Sequence, residues 1–126
     1  MAFIHYRDMD VFKKAYQVAL DIHKVTAAFP KEELFGGMAD QMRRASKGIC
    51  ANLAEGLGKG GSKIEQARYL RIAYGSAEEL TVWFMFCKDL NYIDESQYNL
   101  WRDEMNQVGK MLFALIERRN GFGGKA

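Results

Sequence analysis

Apolar residues recur at steps of three and four along most of the chain, and this spacing restricts the fold more than any other feature of the sequence. One face of an α-helix repeats every 3.6 residues, so each such run predicts a helix. Pro30 is the single proline of the 126 residues, and few helices are therefore interrupted. No segment alternates with a strict period of two, as a half-buried strand would. The pattern predicts an all-α protein.

Short breaks separate four of these runs, which predicts helices at about residues 8–28, 37–57, 62–90 and 94–119. The glycine-rich residues 120–126 are predicted to form a mobile tail. Because the helices have similar lengths and short connections, consecutive helices should be antiparallel neighbours. We therefore expect one domain over residues 1–126, an antiparallel up-down-up-down four-helix bundle.

The apolar stripes also predict the core and the helix ends. Ser62, with Glu65 three residues later, is typical of a capping box at the start of the third helix. Gly56 and Gly58 are suited to cap the end of the second helix. The predicted core residues are Phe12, Tyr16, Ala19, Ile22 and Thr26 in the first helix, with Val11, Val18 and Val25 widening the stripe, Met38, Met42, Ala45, Ile49 and Leu53 in the second, Ile64, Ala67, Leu70, Ala73, Ala77, Leu80, Phe84 and Cys87 in the third, and Tyr98, Trp101, Met105, Val108, Leu112 and Leu115 in the fourth.

The third helix is apolar over more of its circumference than one buried face requires, since Val82, Trp83 and Phe86 lie off its main stripe. A helix that is apolar nearly all round is buried on several sides. In a domain of this size, that favours burial against another subunit. A tightly packed monomer with a wide stripe is the alternative.

The motifs of an enzyme are not found. The stretch "NLAEGLGKGGSK" contains glycines and lysines, but a phosphate-binding loop needs GxxxxGK[ST] after a strand, and here Lys59 precedes a glycine pair and follows a predicted helix. His5 and His23 form neither a Glu-x-x-His motif nor a zinc pattern, and no Ser/His/Asp set can be assembled. We therefore expect no enzymatic activity, no metal and no cofactor, and we interpret the stretch as a helix–helix connection.

Basic residues are concentrated on the second and third helices. The window from Arg43 to Arg71 holds seven basic and two acidic residues, a net charge of +5, whereas the whole chain carries +2. Such a patch can lie along a phosphate backbone. The alternative is that these residues are solvated or form ion pairs between subunits. The candidate nucleic-acid-binding residues are Arg43, Arg44, Lys47, Lys59, Lys63, Arg68 and Arg71.

The sequence also predicts a cytoplasmic location. Cys50 and Cys87 stand alone, without a CxxC pair, and the opening residues "MAFIHYRDMD" are too polar for a secretory segment. No apolar run approaches the roughly 18 residues of a membrane span. We expect free thiols and no membrane contact.

Four segments, "FPKEELFG", "QMRRASKGICANLAEGLG", "YLRIAYGSAEEL" and "KDLNYIDESQYNLW", resemble in order and spacing the four-helix bundle proteins encoded in intervening sequences of bacterial 23S ribosomal RNA genes. That family includes the accessory variability determinants of diversity-generating retroelements. The resemblance runs from about Tyr6 to Ile116, and it departs from the family at Cys50, where proline is common, and at Lys47 and Gly48. The residues that carry it are Gln41, Arg43, Arg44, Asn52, Ala54, Glu55, Gly56, Gly75, Ser76 and Glu79.

The resemblance implies an antiparallel four-helix bundle that assembles into a homopentamer with a central channel. It also implies that Asn52, Glu55 and Gly56 are architectural, with a polar pair fixing the end of the second helix and a glycine capping it. The retroelement branch binds nucleic acid through a basic surface and partners a reverse transcriptase without catalysing a reaction. Our leading hypothesis is a non-enzymatic oligomeric protein that contacts RNA or DNA through the basic residues. The alternative is an oligomeric scaffold that binds a protein partner.

Overall fold

The computed structural model describes residues 4–123, most of which lie in four long helices. These are α1 (Asp10–Thr26), α2 (Met38–Gly58), α3 (Lys63–Asp89) and α4 (Glu95–Glu117). Each helix packs against the next one in the chain, and α4 closes the bundle by packing against α1. None of residues 4–123 forms a strand. The predicted all-α, antiparallel four-helix bundle is confirmed.

Two short elements precede and follow α1. A 3₁₀ turn, Tyr6–Asp8, packs against the end of α2, and a single helical turn, Lys31–Leu34, lies before its start. Glu33 holds this second turn in place, because its Oε1 accepts a hydrogen bond from the backbone N–H of Met38 and its Oε2 accepts one from the Tyr92 hydroxyl, both at 2.9 Å. The sequence pattern did not indicate either element, since each is too short to show a helical period.

The first helix is shorter than its predicted span. Asp8 belongs to the 3₁₀ turn and not to the helix, and α1 ends at Thr26. The backbone N–H groups of the next three residues donate to carbonyls three positions back, which tightens the chain into turns before Pro30. The other three helices begin and end within two residues of the expected positions.

The core is a single cluster that runs through all four helices. Every predicted core residue of α2 is buried. In α3 the prediction fails only at Ile64, which is 83% exposed. The apolar stripe drifts around this helix, and Ile64 lies about 60° beyond Ala67, on the outer side. In α1, Ala19, Ile22 and Thr26 are buried as predicted, together with Val11 and Val18, but Tyr16 is 51% exposed and Ala15 is buried beside them.

The end of α2 differs from its prediction, whereas the start of α3 agrees with it. Gly56 and Gly58 do not cap α2, because the helix continues through both of them and Lys59 is its C-cap. Gly60 takes the left-handed conformation in the connection, with φ of +69°. The Ser62 hydroxyl accepts a hydrogen bond from the Glu65 N–H at 3.1 Å, so Ser62 caps α3 as predicted.

Gly56 is buried inside α2 for a different reason. A Cβ atom at this position would lie 3.0 Å from Tyr69 Cβ and 3.3 Å from the Gln66 carbonyl oxygen, both on α3. Carbon atoms pack best at about 3.5–4.0 Å, so any side chain would push the two helices apart. Gly56 therefore permits the close approach of α2 and α3.

The residues after α4 lie on the bundle as far as the structure describes them. The ring of Phe122 stacks on Phe113 with centroids 4.6 Å apart, and it meets the edge of Tyr74 at 6.1 Å. Arg71 donates a hydrogen bond to the Gly121 carbonyl at 2.6 Å. The last part of the predicted mobile tail, residues 124–126, lies outside the described residues.

None of the helices within residues 4–123 combines the length and the apolarity that crossing a lipid bilayer requires.

Candidate nucleic-acid interface

The seven predicted basic residues fall into two groups at different heights of the bundle. The first, which we call the α1–α2 cluster, consists of Arg43, Arg44 and Lys47, on the half of α2 that lies beside the C-terminal end of α1. The second, the connection cluster, consists of Lys59, Lys63, Arg68 and Arg71, in the α2–α3 connection and the first turns of α3. Lys47 and Lys59 are separated by about 18 Å along the helix axis at 1.5 Å per residue. Along α2 itself, the cations therefore fall into two separate groups.

Arg43 is a partly buried residue that joins α2 to α1. Its Nε donates to Thr26 Oγ1 at 2.9 Å, and its Nη2 donates to the His23 carbonyl at 3.0 Å. Carbonyls near the end of a helix lack partners within the helix, and a guanidinium at that end also interacts favourably with the helix dipole. Arg43 thus has a structural role in addition to its charge, and its orientation is fixed.

His23, on α1, lies against the α1–α2 cluster, and the sequence analysis did not select it. Its Nδ1 lies 3.2 Å from Lys47 Nζ, on an exposed part of the surface. The charge of Arg43, followed by that of Lys47 and by slight desolvation, lowers the pKa of His23 from its ordinary value. Arg44 forms an ion pair with Asp40 at 3.3 Å, which partly neutralises that side of the cluster. No sequence signal could have identified His23, because its contacts with Arg43 and Lys47 depend on how α2 packs against α1.

Tyr69 is the centre of the connection cluster. Lys59 Nζ lies 3.3 Å from the Tyr69 hydroxyl and 4.8 Å from its ring centroid, and the Arg68 guanidinium lies 5.2 Å from the same centroid. Lys59 also forms an ion pair with Glu55 at 3.0 Å. The hydrogen bond to Glu55, then the one to Tyr69, raises the pKa of Lys59, so this residue stays charged at any physiological pH.

The C-terminal end of α4 brings further positive charge to the same end of the bundle. Arg119 donates from Nε to Gln66 Oε1 at 2.7 Å and from Nη1 to the Leu115 carbonyl at 2.8 Å. Burial and the neighbouring Arg118 lower the pKa of Arg119. The sequence-based selection missed both arginines because they lie some fifty residues after Arg68 in the chain.

The residues of the two clusters lie outside five clefts of the described surface. These five clefts have volumes of about 220–560 Å³, and none of them is lined by a residue of either cluster. Within residues 4–123, no three His, Cys, Asp or Glu side chains are close enough together to hold a metal ion. The two clusters present exposed cations on an open surface, where they can contact an extended anion.

Comparison with known proteins places the chain in a family. The family described as 23S rRNA-intervening sequence protein matches residues 7–114. This chain belongs to that family. A crystal structure from Bacteroides thetaiotaomicron, of a protein with unknown function from the S23 ribosomal protein family, shares the fold with a TM-score of 0.76 at 24% identity. That similarity covers 85% of this chain and 95% of the other one.

No curated protein sequence matches this family member. Its relation to the accessory variability determinants of retroelements stays a prediction.

The signature residues of this family member have individual roles in the structure. Asn52 donates from Nδ2 to the Gly48 carbonyl one turn earlier in α2, at 2.8 Å, so it does not pair with Glu55 to fix the helix end. Glu55 does act at that end, through its ion pair with the C-cap residue Lys59. Gly56 provides the close approach to α3 instead of the predicted cap. Glu79 accepts a hydrogen bond from the indole of Trp83 at 2.9 Å, and Gln41 and Gly75 are exposed.

Proposed function

We propose that this protein is an oligomeric, non-enzymatic protein that binds RNA or DNA through its α1–α2 and connection clusters. The observation that carries the proposal is the accumulation of exposed cations on α2 and α3, of which only Arg44 and Lys59 have an acidic partner within residues 4–123. Cations of this kind neutralise phosphates and release counterions, which gives affinity without regard to base sequence.

Binding would depend on charge and on shape. The described surface presents no exposed helix of uniform basic character that could enter a groove and read base edges, and α2 carries its cations in two separate groups. Tyr69 is half-buried between Lys59 and Arg68, so its ring can contribute to holding those cations in place beside a phosphate backbone.

The outer face of α3 supports the oligomeric part of the proposal. Ile72, Val82 and Phe86 are 45%, 49% and 50% exposed, on the side of α3 opposite to its core residues. Together with Gly75 and Glu79 they follow steps of three and four, which is the spacing of a seam between packed helices. An apolar stripe of this kind on a small domain is typical of a surface buried by another subunit. Following the family resemblance, we propose a homopentamer in the cytoplasm, where Cys50 and Cys87 would remain free thiols.

The first experiment measures binding of the purified protein to labelled structured RNA and duplex DNA over a salt series. We expect submicromolar binding that falls steeply with salt. The variant Lys59→Glu/Lys63→Glu should bind at least about tenfold more weakly at low salt, and its log–log salt slope should be shallower by about 2, since each phosphate contact contributes about 0.9. The control Lys13→Glu/Lys110→Glu makes the same charge change on α1 and α4, outside both clusters, and should bind more tightly than the first variant.

The outcomes separate the parts of the proposal. Equal binding of the two variants would remove the connection cluster from the interface. No binding by the wild-type protein at low salt would overturn nucleic-acid binding altogether, and an oligomeric scaffold for a protein partner would then be the better hypothesis.

The oligomeric part has its own test, which is the mass in solution by light scattering. The subunit mass is 14.4 kDa, so a pentamer should give about 72 kDa. Phe86→Glu should dissociate it, whereas Tyr16→Glu changes a residue of the same exposure on α1 and should leave the mass unchanged. A monomeric wild-type protein would contradict the proposal.

A further inference from the structure

We propose that His23, Arg43 and Lys47 form one phosphate-binding site, in which His23 supplies an additional positive charge when it is protonated. The ligand is a phosphodiester of the RNA or DNA backbone. This inference rests on the proposed function and assigns a binding residue, His23, that sequence reasoning did not select.

The geometry brings three nitrogen-bearing side chains from two helices to one place. His23 Nδ1 and Lys47 Nζ are 3.2 Å apart, and Arg43 Nη2 bonds the backbone carbonyl of His23 itself. The bond from Arg43 Nε to the buried Thr26 fixes the guanidinium plane, so little side-chain entropy remains to be lost when a ligand binds. No hydrogen bond within residues 4–123 uses Arg43 Nη1, which can therefore donate to a phosphate oxygen.

The hydrogen bond between Lys47 and His23 links proton uptake to anion binding. An ammonium group is only a donor, so in the neutral histidine Nδ1 accepts from Lys47 and Nε2 carries the proton. Protonation turns Nδ1 into a donor as well, and two positive donors then face each other at 3.2 Å. A phosphate oxygen between them can accept from both, which replaces repulsion with two charge-assisted hydrogen bonds.

The charged groups around His23 also link its protonation to the binding of an anion. Arg43 and Lys47, both from α2, are the charged groups that depress its pKa below 6.5, and Lys24 follows it on α1. A phosphodiester stays negative throughout this pH range and offsets those charges, so its binding should raise the pKa of His23. By linkage, the affinity should then rise as pH falls through the interval between the pKa of the bound state and the lower pKa of the free state. Above that interval, where His23 is neutral in both states, the affinity should not change with pH through this residue.

The experiment follows the two histidines by NMR with and without a thymidine 12-mer, a probe whose phosphodiesters do not titrate between pH 5 and 8. We expect the pKa of His23 to rise by about 0.5–1 unit on binding, which limits the gain in affinity from pH 7.5 to pH 5.5 to at most roughly three- to tenfold. His23→Gln should lack that gain, so its affinities at pH 5.5 and pH 7.5 should be equal. His5 lies at the other end of α1, beside the connection cluster, and serves as the second reporter.

Each of the following outcomes would overturn the proposed phosphate site at His23. Binding of the 12-mer with an unchanged titration of His23, or with a response of His5 alone, would overturn the phosphate site at His23 and leave the proposed function standing. A His23→Gln variant with the full pH dependence of the wild type would do the same. No binding at low salt at either pH would contradict both proposals.

Discussion

The close packing of α2 on α3 at Gly56 makes a quantitative prediction. Gly56→Ala should destabilise the protein relative to Gly109→Ala by about 1–3 kcal/mol, the usual cost of overpacking a core. Both substitutions replace a helical glycine with alanine. The gain in helix propensity is about 1 kcal/mol inside a long helix, as at Gly109, and smaller in the last turn of α2, where Gly56 lies. The contact at 3.0 Å with Tyr69 Cβ adds to this difference, since a Cβ at Gly109 meets no atom within 4 Å.

The strain at Gly56 cannot be relieved by a rotamer change. The atoms that a new methyl group would meet are Tyr69 Cβ and the Gln66 carbonyl oxygen, one attached directly to the backbone of α3 and the other part of it. Relief therefore requires the helices to separate, which weakens the packing of Leu53 and Leu70 in the fully buried core beside them.

The assay is urea unfolding followed by circular dichroism, with wild-type protein and both variants at one protein concentration. In thermal unfolding the same difference should appear as roughly 4–12 °C between the variants, at about 4 °C per kcal/mol for a chain of this size. Equal stability of Gly56→Ala and Gly109→Ala, or greater stability of the former, would show that the helices are not in close contact at this position and would refute the explanation given for Gly56.

Three further predictions concern the core and the helix ends. Trp101→Phe should cost roughly 2–3 kcal/mol in unfolding free energy, because the buried indole donates a hydrogen bond to the Asp21 carboxylate at 2.6 Å and hydrogen bonds to charged groups contribute about that much. Urea unfolding of Trp101→Phe measures this loss, and a loss under 1 kcal/mol would contradict the prediction. Burial raises the pKa of Cys87 to about 12 and that of Cys50 to about 11, from an ordinary value of 9.0 for a thiol. Both thiols should therefore react with a thiol reagent at pH 8 far more slowly in the folded protein than in urea. The free energy of unfolding should fall as pH rises from about 9 towards 12, because the thiols ionise first in the unfolded chain. A Cys50→Ala variant with an unchanged pH slope would show that Cys50 does not contribute to this fall. Asp94→Ala should cost about 1 kcal/mol, since the Asp94 carboxylate caps α4 by accepting from the Gln97 N–H at 2.7 Å, and Glu95→Ala serves as a neighbouring control without a cap to lose.

Local interactions made the helices predictable. The period of the apolar residues, the capping residue Ser62 and the break at Pro30 each act within a few residues of the chain, and the structure has a helix end at or near each of them. The core face of α2 could be identified in full for the same reason, since this helix offers only one apolar line. The fold class followed from helix lengths and short connections.

Where the sequence offered two choices, packing made the selection. Helix α1 carries an apolar stripe wider than the face it buries, and the bundle buries Val11 and Ala15 while Tyr16 remains exposed. Gly56 was interpreted as a cap because glycine often ends a helix, but its local sequence carries no information about the backbone of α3 that passes beside it. The exposed stripe of α3 could be recognised as excess apolar surface, yet the tertiary structure was needed to show that Ile72, Val82 and Phe86 remain on one outer face.

The sequence by itself determined the four helices, most of the buried face of each and the location of the positive charge, because all of these depend on neighbours within one or two turns. Only the tertiary structure decided which charged groups meet. Arg43 lies seventeen residues after Thr26 and twenty after His23, and their contact depends on how α1 and α2 are placed beside each other. The same holds for Arg119, which lies fifty-three residues after Gln66 and meets it only because α3 and α4 pack against each other.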